Sequence, residues 1–278
     1  MSVLVVGASG FLGRSVVDRL RSHGHGTRGT YHATPREGAR VPFDLFADDP
    51  ADLPFEECGT VVFAAHVERT DHSRERFEAA AGRFVDACDD AGARLLYVSS
   101  AGVFDGASGG YVESDDPSPK SRYGERLRAF ERRIGGLRDS GILRTDYLYG
   151  RSRGDLDPRL AETAIRLRAG ERVGYYGDMY KSPVAVGDAA RAVARLVEGG
   201  ARGVVHVPTP RTSVAAFHRA AAAAMGLPYR RIAAEPMPED PSLHRDTSLD
   251  SERFGALVGF RPRSVARAMR ATADPDAA

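Results

Sequence analysis

The feature that most constrains this sequence is a glycine-rich turn close to the amino terminus. It follows the apolar run of residues 3–6 and precedes a segment with the apolar spacing of an amphipathic helix. A buried strand that turns at glycines into a helix is the dinucleotide-binding βα unit: the glycines permit the tight turn, the approach of a pyrophosphate and close helix–strand packing. The helix N-terminus adds free N–H groups for phosphates. We therefore expect nucleotide binding, rather than a turn without a ligand, through Gly7, Ser9, Gly10, Phe11, Leu12 and Gly13.

Strand-like and helix-like segments alternate along the chain. The predicted strands are residues 3–6, 29–32, 60–64, 94–99, 141–148 and 204–207, and the predicted helices are residues 11–23, 74–91, 121–139, 158–170, 189–198 and 214–225. This alternation predicts an α/β fold, a doubly wound parallel sheet of the Rossmann type. Ligands of such sheets lie beyond the carboxyl ends of the strands. The turn-rich residues 106–121 are therefore expected at the active-site edge.

The pattern changes after Gly150. We expect residues 1–150 to form a nucleotide-binding domain, with residues 184–207 returning to its sheet. Residues 151–183 and 208–278 are expected to form a smaller carboxyl-terminal α/β lobe that binds the substrate. We expect the tail after Ala271 to be loosely held.

Composition argues against several classes of function. A formal net charge of +1 gives no reason to expect nucleic acid or a membrane as partner, and no run approaches transmembrane length. The two cysteines and eight histidines show no metal-ligand spacing, so no metal site is predicted. With no leader before the first strand, we expect a cytoplasmic protein that binds a small molecule. A homodimer is compatible with the sequence.

Four segments have the order of motifs of one enzyme family. Residues 98–106 read VSSAGVFDG, residues 111–113 read YVE, residues 143–150 read LRTDYLYG, and residues 178–183 read DMYKSP, with DAA at 188–190. They resemble the strand-end serine/threonine with V-F-D-G, the Y-V-E loop, the L-R-T-x-W-V-Y-G strand and the D-Q-Y-G-S-P…D-L-A segment of the dTDP-4-dehydrorhamnose reductases. These enzymes are the sugar-nucleotide-binding branch of the extended short-chain dehydrogenase/reductases. The resemblance spans nearly the whole chain.

The resemblance implies hydride transfer between a nicotinamide and a sugar ketone or alcohol. Tyr123 would protonate the developing alkoxide, and Ser100 would hydrogen-bond the carbonyl oxygen. The alternative for Tyr123 is an aromatic side chain that packs on the sheet at the start of a helix, but its position after Ser100 favours the active site. Solvent exposure is the alternative for most of the expected substrate contacts, which are Glu68, Arg69, Phe104 and Lys181.

The largest departure from the family pattern is Leu127. A phenol with a pKa near 10 is a poor catalyst at neutral pH unless a cation lowers its pKa. The family supplies that cation as a lysine four residues after the tyrosine, on the same helix face. Arg126 and Arg128 flank the position, but each lies about 100° round the helix. Either another cation, such as Lys181 or an arginine, enters the site, or redox chemistry is impaired and the site is used differently.

The expected cofactor is NADP(H), with NAD(H) as the alternative. NAD-preferring members place an acidic residue at the end of the second strand, where this chain instead offers His32 and Arg36, with Arg14 also in reach. Further cofactor contacts are expected, by resemblance, from Asp44 and Leu45 beside the adenine, from the small Ala64 and Ala65, and from Ser99.

The sequence thus predicts an NADP(H)-dependent reductase of a keto-sugar nucleotide or a related small carbonyl compound in a biosynthetic pathway. Two alternatives remain open because Leu127 replaces the lysine. The first is a family member that binds a nucleotide as a regulatory or scaffolding subunit. The second is an enzyme of non-redox chemistry, such as elimination or cyclisation, with Tyr123 as acid or base.

Overall fold

A computed structural model describes residues 1–271, so the tail after Ala271 lies outside the described residues. The strands are β1 (Ser2–Val6), β2 (Gly26–Tyr31), β3 (Val41–Pro42), β4 (Thr60–Phe63), β5 (Arg94–Ser100), β6 (Ser140–Tyr149), β7 (Arg151–Ser152), β8 (Asp155–Leu156), β9 (Val173–Tyr176), β10 (Tyr180–Lys181), β11 (Pro183–Ala185), β12 (Gly203–His206), β13 (Thr212–Ser213) and β14 (Ile232–Glu235). The helices are α1 (Phe11–Ser22), α2 (Arg74–Asp90), α3 (Arg122–Ile134), α4 (Pro158–Arg168), α5 (Val186–Glu198), α6 (Val214–Ala224), α7 (Phe254–Val258) and α8 (Val265–Ala271).

One parallel sheet forms the centre of the molecule. Its strand order is β11-β6-β5-β4-β1-β2-β3, and β12 pairs with the first half of β6 on the side that β11 also occupies. Because every pair in this sheet is parallel, the carboxyl ends of the strands meet at one edge. The predicted doubly wound parallel sheet is confirmed.

Helices cover both faces of the sheet, as expected for parallel strands. Val3 and Val5 of β1 belong to a core with α1 and α5, whereas Leu4 and Val6 belong to a core with α2 and α3. Successive side chains of a strand point to opposite faces. The continuous apolar run of β1 therefore serves two cores at once.

The carboxyl-terminal lobe is built on α4, α6 and α8, with the short parallel pair β9–β14 beside them. Two small cores hold it together, one around Phe217 and Leu160 and one around Leu167 and Ile232. The segment from β11 to β12 lies with the main sheet. The division of the chain into two domains stays a prediction.

Two further observations concern the described residues. Helix α3 ends at Ile134, before the predicted end, because Gly135 and Gly136 follow and disfavour continuation. Within residues 1–271, no helix is long and apolar enough to cross a membrane, and no group of side chains has the arrangement of a metal site.

Candidate active site

A cleft of about 1390 Å³ opens at the carboxyl edge of the sheet. One wall is formed by the ends of β1, β4, β5 and β6, and the other by the start of α4 together with residues of the carboxyl-terminal lobe. This is the position at which ligands bind to open α/β sheets. The cleft is large enough for a dinucleotide-sized ligand together with a second molecule.

The glycine turn lies at the floor of this cleft. Gly7 has a φ of +82°, and a Cβ added there would stand 2.6 Å from the backbone of Ala65. A Cβ on Gly13 would meet the Gly7 carbonyl oxygen at 2.1 Å, so only glycine lets α1 approach β1 this closely. The Gly7 N–H donates to Thr30 Oγ1 at 3.0 Å, which ties the turn to β2.

The N-terminus of α1 opens into the cleft beside this turn. Its N-cap, Gly10, supplies no side chain, and the first turn holds no acidic residue. The first N–H groups of a helix lack intrahelical partners and carry the positive end of the helix dipole. Gly10, Phe11 and Leu12 line the cleft, so this end of α1 is suited to phosphate groups.

A histidine and a carboxylate meet at the β2 end of the cleft. His32 Nε2 lies 3.3 Å from an Asp44 carboxylate oxygen, and His32 is well exposed. Arg14 is not free to reach this place, because its guanidinium donates to Asp155 at 2.6 Å. Arg36 is exposed, bridges to Ala39 and does not line the cleft. Asp44, which follows β3, thus places a carboxylate beside His32.

Ser100 and Tyr123 meet in the middle of the cleft. Ser100 is the last residue of β5, and its Oγ accepts from the N–H of Gly102 at 3.2 Å. Helix α3 begins next to this strand end, capped by Ser121 Oγ, which accepts from the N–H of Gly124 at 3.1 Å. A Cβ on Gly102 would lie 2.8 Å from the Tyr123 ring, so strand end and helix start pack without a gap.

The surroundings of Tyr123 hold its phenol in the neutral form. Burial and the Glu68 carboxylate raise the pKa of Tyr123 to about 12, against the opposing effects of Ser100 and Arg69. The Arg69 guanidinium lies over the Tyr123 ring, 4.7 Å from its centre. The Tyr123 hydroxyl lies 3.2 Å from Nε2 of His66.

The residue at the position of the family lysine, Leu127, is apolar and almost fully buried. Leu127 is 1% exposed and packs in the core that Tyr123 adjoins, although it forms part of the cleft wall. The neighbouring Arg126 points elsewhere: its guanidinium donates to the carbonyl oxygens of Glu68, Thr70 and His72. The sequence analysis left either Lys181 or an arginine as a replacement cation. In the structure, the guanidinium that contacts the Tyr123 ring is that of Arg69.

Lys181 lines the cleft from the lobe side, near a buried carboxylate. Its Nζ donates to Thr247 Oγ1 at 2.8 Å. Burial raises the pKa of Asp146, whereas the Lys181 ammonium lowers it. The Lys181 ammonium therefore favours the ionised form of Asp146.

Glu68 is a buried acid at the base of the cleft. Its carboxylate accepts from the Tyr97 hydroxyl, and burial raises its pKa to about 7. The alternative of simple solvent exposure is therefore wrong for Glu68, which is 2% exposed.

The far end of the cleft contains groups that sequence reasoning missed. Tyr147 has a φ of +22° at the register shift between β6 and β11, which turns it into the cleft. Arg159 stacks over the Tyr147 ring at 3.9 Å and bonds the carboxylate of Asp157. His244 also lines the cleft, and burial together with Lys120 and Lys181 lowers its pKa to about 4. The unusual φ of Tyr147 has no signature in the sequence.

Most predicted site residues line this cleft, namely Gly7, Ser9, Gly10, Phe11, Leu12, His32, Asp44, Leu45, Ala64, Ala65, Glu68, Arg69, Ser99, Ser100, Tyr123 and Lys181. Gly13 does not line the cleft; its role is to let α1 pack closely on the glycine turn. Ser99 directs its hydroxyl away from the cleft, to Glu131 at 2.5 Å. Phe104 is fully buried and stacked on Tyr111 at 4.1 Å, which corrects the predicted substrate contact: this ring belongs to the core.

One family model matches nearly the whole chain, and individual relatives match about three quarters of it. The model of the RmlD substrate binding domain matches residues 1–277. A probable low-salt glycan biosynthesis reductase of Haloferax volcanii is 30% identical over 226 residues, 74% of this chain and 74% of that protein. A dTDP-4-keto-6-deoxy-D-glucose reductase of Streptomyces niveus is 31% identical over 216 residues, 73% of this chain and 71% of its own.

Among solved structures, dTDP-4-dehydrorhamnose reductase from Bacillus anthracis in complex with NADP has the same fold. It superposes with a TM-score of 0.74 at 22% identity and covers 98% of each chain. Since the family match extends over almost every residue, the chain belongs to the RmlD substrate binding domain family, the branch of the extended short-chain dehydrogenase/reductases that its motifs resemble.

Proposed function

We propose that this protein is an NADP(H)-dependent reductase of a keto-sugar nucleotide or a related small carbonyl compound. The observation that carries the proposal is the meeting of Ser100 and Tyr123 in the cleft whose floor is the glycine turn. The two relatives described above are named as reductases, one of a glycan pathway and one of a dTDP-keto sugar. The second name supports a carbonyl of a sugar as the reacting group.

The cleft fits a dinucleotide on its own geometry. Glycine at position 7 lets the turn pack directly on Ala65 with a φ that favours glycine, and the N-terminus of α1 carries no competing acid. Gly10, Phe11 and Leu12 would hold the pyrophosphate, and the small Ala64 would leave room beside it. A bound reduced nicotinamide would supply the hydride.

The protein's own residues would place and protonate the carbonyl. Ser100 donates a hydrogen bond to the carbonyl oxygen and holds it beside the Tyr123 hydroxyl. As negative charge develops on that oxygen, Tyr123 transfers its proton to it. A positioned proton donor contributes roughly 10²–10⁴-fold to such a step. The exposed guanidinium of Arg159 at the far end of the cleft suits the phosphates of a nucleotide sugar.

Reduction is tested directly. Purified protein is incubated with NADPH and a panel of dTDP-4-keto sugars, and the loss of NADPH absorbance is followed together with the sugar product. Turnover that Tyr123→Phe abolishes is the expected result. Absence of turnover with every sugar, although NADPH binds, would exclude the proposed reductase.

Cofactor preference is tested at the β2 end of the cleft. We propose that NADP(H) binds more tightly than NAD(H), with His32 beside the 2′-phosphate. The Asp44 carboxylate 3.3 Å from His32 opposes that phosphate, so Asp44→Asn should raise NADP(H) affinity roughly fivefold, the scale of an exposed charge pair of up to about 1 kcal/mol. Calorimetric titration of both proteins with both cofactors measures this. An unchanged ratio of the two affinities would show that the phosphate lies elsewhere.

A second candidate function rests on Leu127. A sealed apolar residue where the family has a lysine favours nucleotide binding without redox turnover, or a non-redox step with Tyr123 as acid or base. Such a protein would bind NADP(H) yet leave its absorbance unchanged. Product analysis by mass spectrometry then distinguishes elimination or cyclisation of the sugar from simple binding.

A further inference from the structure

The turn of residues 66–69 lies directly beside the reactive hydroxyl of Tyr123. It follows β4 and carries His66, Glu68 and Arg69 into the cleft. The His66 ring meets the Tyr123 ring edge-on, with centres 5.5 Å apart. The turn therefore brings the titratable His66 ring to Tyr123. In the family pattern the corresponding titratable group is a lysine on the same helix as the tyrosine.

The hydrogen bonds define which way the Tyr123 proton points. His66 Nε2 lies 3.2 Å from the Tyr123 hydroxyl and 3.4 Å from Nε of Arg69. Because a guanidinium can only donate, Nε2 is the acceptor and the ring proton of neutral His66 is on Nδ1. The Tyr123 hydroxyl is therefore the donor, and its proton is aimed at the imidazole.

Helix α3 fixes the turn in this position. Arg126 donates to the Glu68 carbonyl at 2.9 Å, and also to the carbonyls of Thr70 and His72. Arg126 is buried at 3% exposure, so these bonds are shielded from water. The helix that carries Tyr123 thus also positions the partner of its hydroxyl.

The charges around His66 keep it neutral but leave it able to exchange protons. Partial burial and the Arg69 guanidinium lower the pKa of His66. Tyr123 faces it from α3, and the buried Glu68 lies two residues along the same turn. The His66 residue is exposed to the cleft, so solvent can supply or remove its proton.

We propose that His66 is the positioning residue that exchanges a proton with the Tyr123 hydroxyl at each turnover, in place of a lysine at position 127. This inference rests on the proposed reductase. In reduction, the hydride that a bound reduced nicotinamide would give up leaves with the electron pair of its C–H bond and forms a C–H bond at the carbonyl carbon, so the nicotinamide is oxidised as the carbonyl is reduced. The π electrons move to oxygen, which takes the Tyr123 proton. Solvent protonates the neutral His66 ring at Nε2, and the resulting imidazolium passes that proton to the Tyr123 phenolate, which returns both groups to their starting state. Oxidation of the alcohol follows the reverse path.

Nitrogen NMR of the cofactor-free protein tests the contact without any activity. We expect the His66 resonance, identified by its loss in His66→Gln, to show the Nδ1–H tautomer and a pKa below the ordinary histidine value. Tyr123→Phe removes the donor and should shift the Nε2 resonance. An Nε2–H tautomer, or an Nε2 resonance indifferent to Tyr123→Phe, would overturn the inference.

Kinetics of His66→Gln test the role. Glutamine retains a hydrogen bond to Tyr123 but cannot carry the proton. We therefore expect kcat to fall by about 10- to 100-fold, at or below the lower end of the range for general acid–base catalysis, because His66 acts through Tyr123. Cofactor affinity should stay within about twofold. Reductive kcat of the wild type should fall as pH rises through the pKa of His66. The His66→Gln variant should lose this fall of kcat with pH, and added imidazole should restore its kcat.

The matched control is His23→Gln, on the surface beside Glu198, which should behave as wild type. An active wild type with an unimpaired His66→Gln variant would overturn the inference and leave the proposed reductase intact. A wild type that reduces no sugar would overturn the reductase, and the catalytic exchange with it. Loss of kcat with a retained pH limb and no rescue by imidazole would mean that His66 is merely structural, which also overturns the inference.

Discussion

Replacing Leu127 by lysine restores the residue that the family pattern places one helical turn after the tyrosine. Tyr123 and Leu127 lie on the same face of α3 and both approach Gly102: a Cβ there would stand 2.8 Å from the Tyr123 ring and 3.3 Å from a Leu127 methyl carbon. A lysine stem can follow the path of the leucine side chain and extend its ammonium group into the cleft. The new charge would then lie close to the Tyr123 hydroxyl.

The size of the effect follows from the electrostatics. Two unit charges at about 4 Å interact by about 4 kcal/mol at an effective dielectric constant of 20, which corresponds to about three pKa units at about 1.36 kcal/mol each. The pKa of Tyr123, raised to about 12 in the wild type, should therefore fall to about 9. The loss of a buried leucine should reduce the free energy of unfolding by roughly 2 kcal/mol, at the low end for truncated core leucines because the stem remains.

Alkaline absorbance titration measures this pKa, with Tyr123→Phe in each background to isolate the one tyrosine. Leu127→Met is the matched control, since it changes the shape but adds no charge. We expect reductase activity of Leu127→Lys to be no higher than wild type, because the site already exchanges the proton through His66 and carries the Arg69 cation. A folded variant whose Tyr123 still titrates near 12 would refute the electrostatic reasoning. A clear gain in kcat would refute the conclusion that the site has adapted to leucine.

Three further predictions concern single residues. Tyr123→Phe should reduce turnover roughly 10²–10⁴-fold and change cofactor affinity less than twofold by calorimetry; turnover within twofold of wild type would show that this tyrosine is not the acid. Gly7→Ala should abolish cofactor binding and lower the melting temperature, because the Cβ would stand 2.6 Å from Ala65. Gly24→Ala is the control, since Gly24 has a similar φ but open space around it, and this variant should lose only about 1–2 kcal/mol of stability through backbone strain. Equal losses of stability in the two variants would contradict the role of the Ala65 contact. The pKa of Glu68 is raised to about 7, so the folded state binds this proton more tightly than the unfolded chain does. The free energy of unfolding should therefore decline by about 3 kcal/mol between about pH 4 and pH 7. Glu68→Gln should lose that decline in chemical denaturation at both pH values, and an identical pH dependence in the variant would disprove the assignment.

The glycine turn shows what local sequence can predict. Gly7, Gly10 and Gly13 have fixed spacing, and their roles follow from the absence of a Cβ, which is a local property of the chain. The alternation of strands and helices is equally local, since it rests on the period of the apolar residues. The nucleotide-binding architecture could therefore be predicted before any contact was known.

Phe104 and Ser99 show where such prediction ends. Both lie in motifs near the active site, yet the Phe104 ring is buried against Tyr111 and the Ser99 hydroxyl bonds Glu131. A motif gives the position along the chain but not the direction of a side chain. Direction depends on the packing of the strand between its two neighbours.

Resemblance to a known family assigned Ser100 and Tyr123 to the site. The sequence by itself determined the sheet, the glycine turn and the fact that Leu127 cannot supply a cation. It did so because these depend on residue type, spacing and periodicity. Only the tertiary structure decided what stands beside Tyr123. His66 and Arg69 reach it from a turn 54 or more residues earlier in the chain, and Arg126 holds that turn in place. Contacts across such separations follow from how the elements pack, and that is set by the whole core rather than by any local pattern.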